Sequence, residues 1–557
     1  MNSHIVFVTH PTRACATVVL GLTAVVAGVA TLEAQPRTQV SDAAVMRPAD
    51  SPTILGGIAD DQWRLAQLMG RADASGWMMR TPSTVVASPR RPSATGLRWS
   101  PIGPALDVAW NSALPFSIND GSLWAGRGTN VLVTGGVGAQ LWRVRARFVP
   151  ELTHAQNRGF FIEPSLTEGR KSFASPWHSG EWSADLPLRL GNEPVTTVGL
   201  GQSVVALDLD RVEIGASNEG QWWGPAIRNG IVLSNNAGGI PHLFLRTPRP
   251  LGTTLGDVEL RWIAGVLTES IQFDDDPTND QRALSGFVAT MRPAAARDLT
   301  LGIARVVFAE SDGSGDALAH GADVFTRWTR LGDSTASGDG ADQMLSLFGR
   351  WVLPASGAEF YGEWVRLEPP SSLRELIVAP QRSQGWTAGL QWARSLRAGL
   401  FRVQAEATTL EQTPSAPGAI RSFYTSNAVR QGYTQRGQPL GAAIGPGGSS
   451  QWLAVDRLAS RWSVGLQLGR IRWENDVYYT QPTGVAYFSH DVSTLVGVRG
   501  GATVFGYDLL LEATRGLRRN YLFQNIRGGF GADPTFDVPN TTVRVRLEPR
   551  TRILPFR

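Results

Sequence analysis

Short runs in which every second residue is apolar recur along most of this chain. Within residues 401–407, phenylalanine, valine and alanine alternate with Arg402, Gln404 and Glu406. The same pattern returns in 141–149 (with Trp142 in its apolar set), 258–266, 462–468 and 543–548. A period of two predicts β-strands with one apolar and one polar face. Because charged side chains do not face a dry core, the polar faces meet water, either around a soluble sandwich or inside a membrane-embedded barrel.

Aromatic positions and loop lengths favour the barrel. Tryptophan and tyrosine stand near the ends of runs at 345–353, 360–367 and 386–392, where the interfacial girdles of outer-membrane barrels lie. Turn-rich connections are short at 354–357 and long at 412–452, an asymmetry typical of such barrels. At roughly 25 residues per strand and connection, the chain from residue 96 onward holds about 18 strands. The fold class is therefore all-β, a large antiparallel transmembrane β-barrel over residues 96–557.

One predicted strand departs from the simple pattern. Residues 299–308 change their apolar face midway, which predicts a β-bulge.

The N-terminus predicts export. Arg13 precedes an apolar run over 14–30, and small residues then lead to Ala34. This order is typical of a secretory signal peptide over residues 1–34, cleaved after Ala30 or Ala34. A membrane anchor is the alternative, but the run is short and no further segment offers 18 consecutive apolar residues. The sole cysteine, Cys15, lies within the signal, so the mature chain is expected to contain no disulfide.

Residues 35–95 are expected to form an N-terminal segment with one short helix. A lead rich in Pro, Ser, Asp and Ala comes first, and an amphipathic pattern follows from Asp60 to Gly70. Asp60 and Asp61 stand where a helix N-terminus favours negative charge, and Gly70 stands where helices commonly end.

The charge and the amino-acid composition limit which classes of partner the protein can bind. The chain has a formal net charge of +4, with 61 Gly, 34 Pro and 19 Trp, and it shows no basic stripe for nucleic acid. Arginine carries nearly all the positive charge, and its planar fork suits carboxylates, so an acidic glycan or lipopolysaccharide is an allowed partner. The base composition of a genome produces the same arginine bias, and that alternative stays open.

The densest motif region runs from about 176 to 270. It contains the sequence Trp222-Trp223-Gly224-Pro225, followed by Ser-Asn-Asn-Ala-Gly at 234–238, just before a Pro-His strand start. These motifs, in this order, resemble the Wzi family of capsule-assembly proteins. The resemblance implies a closed outer-membrane barrel with a small helical periplasmic portion. It also implies a lectin-like role in attaching or organising capsular polysaccharide, with outer-membrane lipid and lipopolysaccharide around a monomer.

Trp222, Trp223, Asn235 and Asn236 are the candidate glycan ligands. Sugars present apolar C–H faces that stack on indole rings, and hydroxyl edges that suit amides able to donate and accept. In a structural alternative, the tryptophan pair fills the barrel rim and the asparagines hold loop backbone.

Two rival functions remain at this stage. A lumen lined by Arg and Glu suits an outer-membrane channel for small anions or sugars. An enzyme in which Glu259 and Glu269 act as acid and base on a glycan ranks last. No cofactor or metal is expected, since the aspartates at 274–276 with Asp280 lack the spacing of a calcium loop and the histidines lack zinc spacing.

Overall fold

The computed structural model describes residues 54–72, 74, 76–83, 96–162, 172–178, 183–327, 340–367, 372–379, 381–397, 399–412, 422–480, 490–523 and 536–550. Within these ranges, eighteen strands form one antiparallel sheet that closes on itself. Closure comes from the pairing of the first barrel strand with the last, where residues 106–111 face residues 547–542. The predicted class and strand number are therefore confirmed.

The barrel strands in chain order are β1 Arg98–Asn111, β2 Gly128–Leu141, β3 Val144–Phe148 with Glu151–Ala155, β4 Val195–Gly199 with Val204–Asp208, β5 Glu213–Ser217, β6 His242–Arg246 with Leu251–Gly252, β7 Gly256–Thr268, β8 Gln281–Pro293, β9 Leu299–Glu310, β10 Ala341–Leu353, β11 Ala358–Arg366, β12 Gln384–Leu396, β13 Gly399–Thr409, β14 Ser449–Leu458, β15 Trp462–Trp473, β16 Asp491–Val504, β17 Tyr507–Arg519 and β18 Val538–Pro549.

The helices are short, and two small strand pairs lie outside the barrel sheet. The helices are α1 Ile58–Leu68, α2 Ser314–Ala319, α3 Asp323–Thr326, α4 Leu373–Val378 and α5 Asn475–Thr480, with 3-10 turns at His320–Ala322 and Tyr521–Phe523. The small pairs are Met79–Arg80 with Trp222–Trp223, and Thr434–Gln435 with Gln438–Pro439. No helix in the described part of the chain has both the length and the apolar character needed to span a bilayer.

The two ends of the barrel differ sharply. At one end, consecutive strands are joined by two to five residues, and at the other by 12 to 39 residues. We call these the short-turn end and the long-loop end. Because outer-membrane barrels have short periplasmic turns and longer extracellular loops, this asymmetry confirms the prediction and orients the molecule.

Side chains alternate across the wall as the sequence pattern requires. In β13, Arg402, Gln404 and Glu406 are buried inside the barrel, whereas the intervening residues face outward. Outward tryptophans lie near both ends, with Trp99, Trp351 and Trp462 at the short-turn end and Trp110 and Trp386 at the long-loop end. These positions confirm the predicted girdles.

Two details of the strand prediction are wrong. The run 141–149 is not one strand, because Trp142 adopts a left-handed φ of 53° in the turn between β2 and β3. No bulge interrupts β9, which pairs continuously with both neighbours. Its apparent change of face arises because Arg305 points outward yet is covered, donating to backbone carbonyls of Val324 and Arg327 in the connection that follows β9.

The interior of the barrel is largely filled by side chains and inward-folded segments. On one side, inward apolar residues such as Ile263, Leu284, Val306 and Met344 pack against connection residues in a single buried cluster. Water-accessible space lies on the opposite side, along β13 to β18. The first side of the lumen is an apolar core because the N-terminal segment and residues of the connections 218–241 and 422–448 fold inward.

Candidate functional site

An N-terminal plug, formed by the described residues between 54 and 83, occupies part of the lumen at the short-turn end. Its helix α1 lies close to the predicted position and buries the indole ring of Trp63 inside the barrel. Arg64 donates from Nε to Glu359 of β11 at 2.5 Å, and Asp61 accepts from Arg402 of β13 at 2.7 and 2.8 Å. Buried ion pairs therefore fasten the plug to the wall. Residues 84–95 lie outside the described residues, so the predicted domain boundary near residue 95 stays a prediction.

The tryptophan pair Trp222–Trp223 lies inside the barrel, where it contacts the plug. Trp222 and Trp223 are both 0% exposed, and their backbone pairs with Met79–Arg80 of the plug. The guanidinium of Arg80 lies 4.8 Å from the Trp222 ring centroid. The connection 218–241 thus descends from the long-loop end to meet the plug, and the pair joins the two.

The two asparagines hold backbone in the same region. Asn235 donates from Nδ2 to the carbonyls of Leu55 and Asn119 at 3.1 and 3.2 Å. Asn236 donates to the carbonyl of Pro439 at 3.0 Å. The structure does bring all four predicted ligands into one region, but their burial supports the structural alternative. Glycan binding by these residues stays a prediction.

A different set of residues faces the outside at the long-loop end. Eight rings from the connections 156–194, 474–490 and 520–537 form what we call the loop-end aromatic cluster. Its members are Phe161, Trp177, Tyr478, Tyr479, His490, Tyr521, Phe523 and Phe536.

Part of this cluster is buried and part is open. Tyr521 and Phe523 pack into the barrel mouth, whereas Tyr479, Phe161 and Phe536 are 48%, 46% and 43% exposed. The ring centroids of neighbouring members lie 5.1 to 6.2 Å apart, the usual spacing of aromatic pairs, except for Tyr478 and His490, which are closer at 4.0 Å. The buried rings therefore hold the exposed ones in place.

Charged and polar side chains contact the buried rings of the cluster. Arg518 donates to both carboxylate oxygens of Asp491 at 2.8 and 2.7 Å, and its guanidinium lies 4.7 Å from the Tyr521 ring centroid. Burial and the nearby Arg472 guanidinium lower the pKa of His490, which favours its neutral ring at neutral pH. A neutral imidazole both donates and accepts hydrogen bonds, as a sugar hydroxyl requires.

Sequence reasoning missed this cluster. The only local signal is the pairing of aromatic residues, Tyr478-Tyr479 and Tyr521-Leu522-Phe523, in segments too polar or too short for strands. Their proximity depends on barrel closure, which brings connections far apart in sequence to neighbouring positions.

The enzyme hypothesis does not fit the positions of its two carboxylates. Glu259 lies near the short-turn end, where it accepts from the Gly76 backbone at 3.0 Å, and Glu269 lies just past the other end of β7. Ten residues of strand separate them by roughly 30 Å, whereas an acid and base pair needs about 5–10 Å.

Two carboxylates of the acidic run at 274–276 accept hydrogen bonds from residues of the same loop. Asp276 accepts from the backbone and hydroxyl of Thr278 at 3.0 and 2.6 Å, and Asp274 accepts from the backbone of Asp276 at 2.9 Å. Across the described residues, no group of three His, Cys, Asp or Glu side chains is placed to hold a metal ion.

A closed eighteen-strand barrel with an apolar outer wall, aromatic girdles and a plugged lumen defines an outer-membrane β-barrel protein. The sequence profile described as "Capsule assembly protein Wzi" matches residues 103–476, more than half of the chain's 557 residues. The chain therefore belongs to the Wzi family, and its role is related to the capsule at the outer membrane.

Comparison with solved structures supports the fold through one structure with a TM-score above 0.5. One similar structure is Wzi from Escherichia coli, described as an outer membrane protein involved in group 1 capsule assembly and a carbohydrate-binding β-barrel. It shares 11% identity, covers 90% of this chain and 99% of its own, and gives a TM-score of 0.52. OprD from Pseudomonas aeruginosa shares 12% identity over 81% of this chain and 94% of its own, with a TM-score of 0.36. Comparison with curated protein sequences found no match.

Proposed function

We propose that this protein holds capsular polysaccharide at the cell surface in a lectin-like manner, with the loop-end aromatic cluster as its contact surface. The observation that carries the proposal is the exposure of Phe161, Tyr479 and Phe536 at the long-loop end, beside polar groups able to bind hydroxyls. Aromatic faces stack on the C–H faces of sugar rings. Membership in a capsule-assembly family supplies the class of ligand.

In this mechanism, many weak contacts between sugar units and loop-end aromatic clusters together retain the polysaccharide. A polysaccharide offers the same sugar unit many times, and many barrels in one membrane offer the same cluster. Modest single-site affinity then becomes strong retention, because each further contact is made at high effective concentration. No catalytic step is required, and the cluster offers open rings where an enzyme would offer a closed cleft.

The test is capture of purified capsular polysaccharide by the refolded barrel. Alanine replaces Phe161, Tyr479 and Phe536 together, and the matched control is Phe505→Ala, which removes a ring that is 100% exposed at the short-turn end. If each lost ring contributes about 1 kcal/mol, the triple variant binds roughly a hundredfold more weakly. Unchanged capture by a folded triple variant would refute the proposal.

A Trp222→Ala variant in the same assay separates the two assignments of the glycan site. With Trp222 as part of the lumen filling, capture per folded barrel stays at the parent level. Loss of capture without loss of folding would support the ligand role predicted for Trp222, Trp223, Asn235 and Asn236.

The channel alternative receives less support. The plug and the connections 218–241 and 422–448 occupy the lumen, and what space remains narrows between the two ends. A planar-bilayer recording tests it, with sustained single-channel conductance as the result that favours a channel.

A further inference from the structure

A cavity of about 400 Å³ lies inside the barrel on the side that the apolar core leaves free. Its wall comes from β13 to β18, and its inner face comes from α1 of the plug and from residues 227–228. The turn 459–461 and Arg550 also line it, so it reaches the short-turn end. It is therefore on the periplasmic side, opposite the loop-end aromatic cluster.

Most of the arginines around this cavity are already paired. Arg499 donates to Asp456 at 2.7 and 2.6 Å, and Arg402 is shared between Asp456 and Asp61. Arg544 and Arg546 likewise pair with aspartates of β1 and of the connection that follows it. These pairs form a rigid wall but leave little charge for a ligand.

Three further arginines line the cavity: Arg461 and Arg550 are exposed at its short-turn end, whereas Arg228 is half-buried inside it. The guanidinium of Arg228 faces the cavity and lies 5.0 Å from the ring centroid of Trp452, yet it makes no hydrogen bond or ion pair with any described residue. Glu512 of β17 also lines the cavity without a hydrogen bond or ion pair to a described residue, and its negative charge lies near enough to act on both Arg228 and Arg544. A half-buried guanidinium with five N–H donors and a half-buried carboxylate thus line the same space.

The position of Arg228 is fixed by its backbone. The amides of Ile227, Arg228 and Asn229 all donate to the carboxylate of Glu406 in β13, at 2.6, 3.1 and 2.8 Å. Three charge-assisted hydrogen bonds to one strand residue hold this turn against the wall. The side chain is therefore presented to the cavity by the fold, and Trp452 beneath it limits its rotation.

The chemistry of the lining selects a class of ligand. The guanidinium fork of Arg228 matches a carboxylate, while the Glu512 carboxylate can accept hydrogen bonds from hydroxyl groups. Apolar side chains such as Ile118 and Leu510 supply surface for C–H groups. The volume falls within the range of about 300–1,000 Å³ found for small-molecule sites, which is far more than a simple inorganic anion needs.

We propose that this cavity binds a small saccharide bearing a carboxylate, entering from the periplasmic end, with Arg228 as the carboxylate ligand. The site is separate from the loop-end aromatic cluster, and the two are affected by different substitutions. Two further cavities toward the long-loop end are much smaller, about 80 and 30 Å³, and Phe116 and Leu495 line both of them. The ligand is therefore held and does not pass through.

The test is calorimetric titration of the refolded full-length barrel with methyl β-D-glucuronide, using methyl β-D-glucoside as the neutral match. The Arg228→Gln variant removes the charge, and Arg297→Gln is the control, because Arg297 is an exposed arginine at the same end of the barrel. We expect the glucuronide to bind the parent and the control equally. We expect binding to weaken at least tenfold with Arg228→Gln or with the glucoside.

The proposal is overturned if the glucuronide does not bind the parent, if the glucoside binds equally well, or if Arg228→Gln binds like the parent. If Arg228→Gln does not fold, Arg228→Lys replaces it. That variant keeps the charge but loses the planar fork, so an intermediate loss of affinity is expected, and parent-like affinity would refute the role of Arg228. Capture of polysaccharide by the loop-end aromatic cluster is measured separately, so failure of one proposal leaves the other open to its own test.

Discussion

Replacing Glu359 with alanine tests whether buried ion pairs fasten the plug inside the barrel. Its carboxylate accepts from Arg64 of the plug at 2.5 Å and from Arg350 of the wall at 3.0 and 2.6 Å. All three side chains are at most 4% exposed. Removing the carboxylate leaves two guanidinium groups buried without their counter-charge.

The magnitude follows from that burial. Loss of one partner of a buried ion pair costs about 3–5 kcal/mol. Arg64 retains the Pro225 carbonyl at 2.7 Å and Arg350 retains Gln67 at 2.5 Å, so part of their hydrogen bonding survives. We therefore expect Glu359→Ala to lower the free energy of unfolding by about 3 kcal/mol, at the lower end of that range.

Equilibrium unfolding of the refolded barrel in urea, followed by tryptophan fluorescence, measures this loss. The control is Asp257→Ala, which breaks an exposed pair with Arg297 at 3.3 Å and should cost at most about 1 kcal/mol. Glu359→Gln keeps one acceptor oxygen and should fall between the two. A Glu359→Ala variant as stable as Asp257→Ala would show that these ion pairs do not fasten the plug.

Three further predictions concern the lumen and the loops. Trp222→Ala should destabilise the barrel by about 3–5 kcal/mol in the same urea assay, because a fully buried indole is replaced by a cavity, and a loss below about 1 kcal/mol would contradict its burial. The parent barrel should show no sustained conductance in a planar bilayer, whereas steady open-channel current would contradict the plugged lumen. Burial raises the pKa of Asp476 to about 7, so its contribution to stability is fully present below its ordinary pKa near 4 and is lost as pH rises through about 7. Asp476→Asn should therefore reduce the fall in stability between about pH 5 and about pH 8, and an unchanged fall would refute the assignment.

The barrel wall could be predicted from the sequence because its information is local. Alternation in β13 places Arg402 and Glu406 inside without any knowledge of the neighbouring strands, and the unequal connections identify the two ends. The strand prediction was wrong at Trp142 because its left-handed backbone makes a turn. It was wrong at Arg305 because a later segment covers this outward side chain. Neither effect is visible in the period of the pattern.

The filling of the lumen and the candidate site could not be predicted in the same way. Trp222 and Trp223 meet Met79–Arg80 more than 140 residues away, and only the folded barrel brings those segments together. The motif on which the family resemblance was based therefore lies within the lumen filling of this protein. The exposed rings of the loop-end aromatic cluster come from three separate connections, none of which carries a distinctive motif by itself.

We propose above all that the protein retains polysaccharide at the cell surface. Deletion of its gene in a capsule-producing strain, with cell-bound and released polysaccharide measured separately, tests this most directly. We predict that polysaccharide moves into the medium while its total amount stays the same. Complementation with the parent gene should restore retention, whereas the Phe161, Tyr479 and Phe536 triple alanine variant should not. Unchanged cell-bound polysaccharide after deletion would contradict the account.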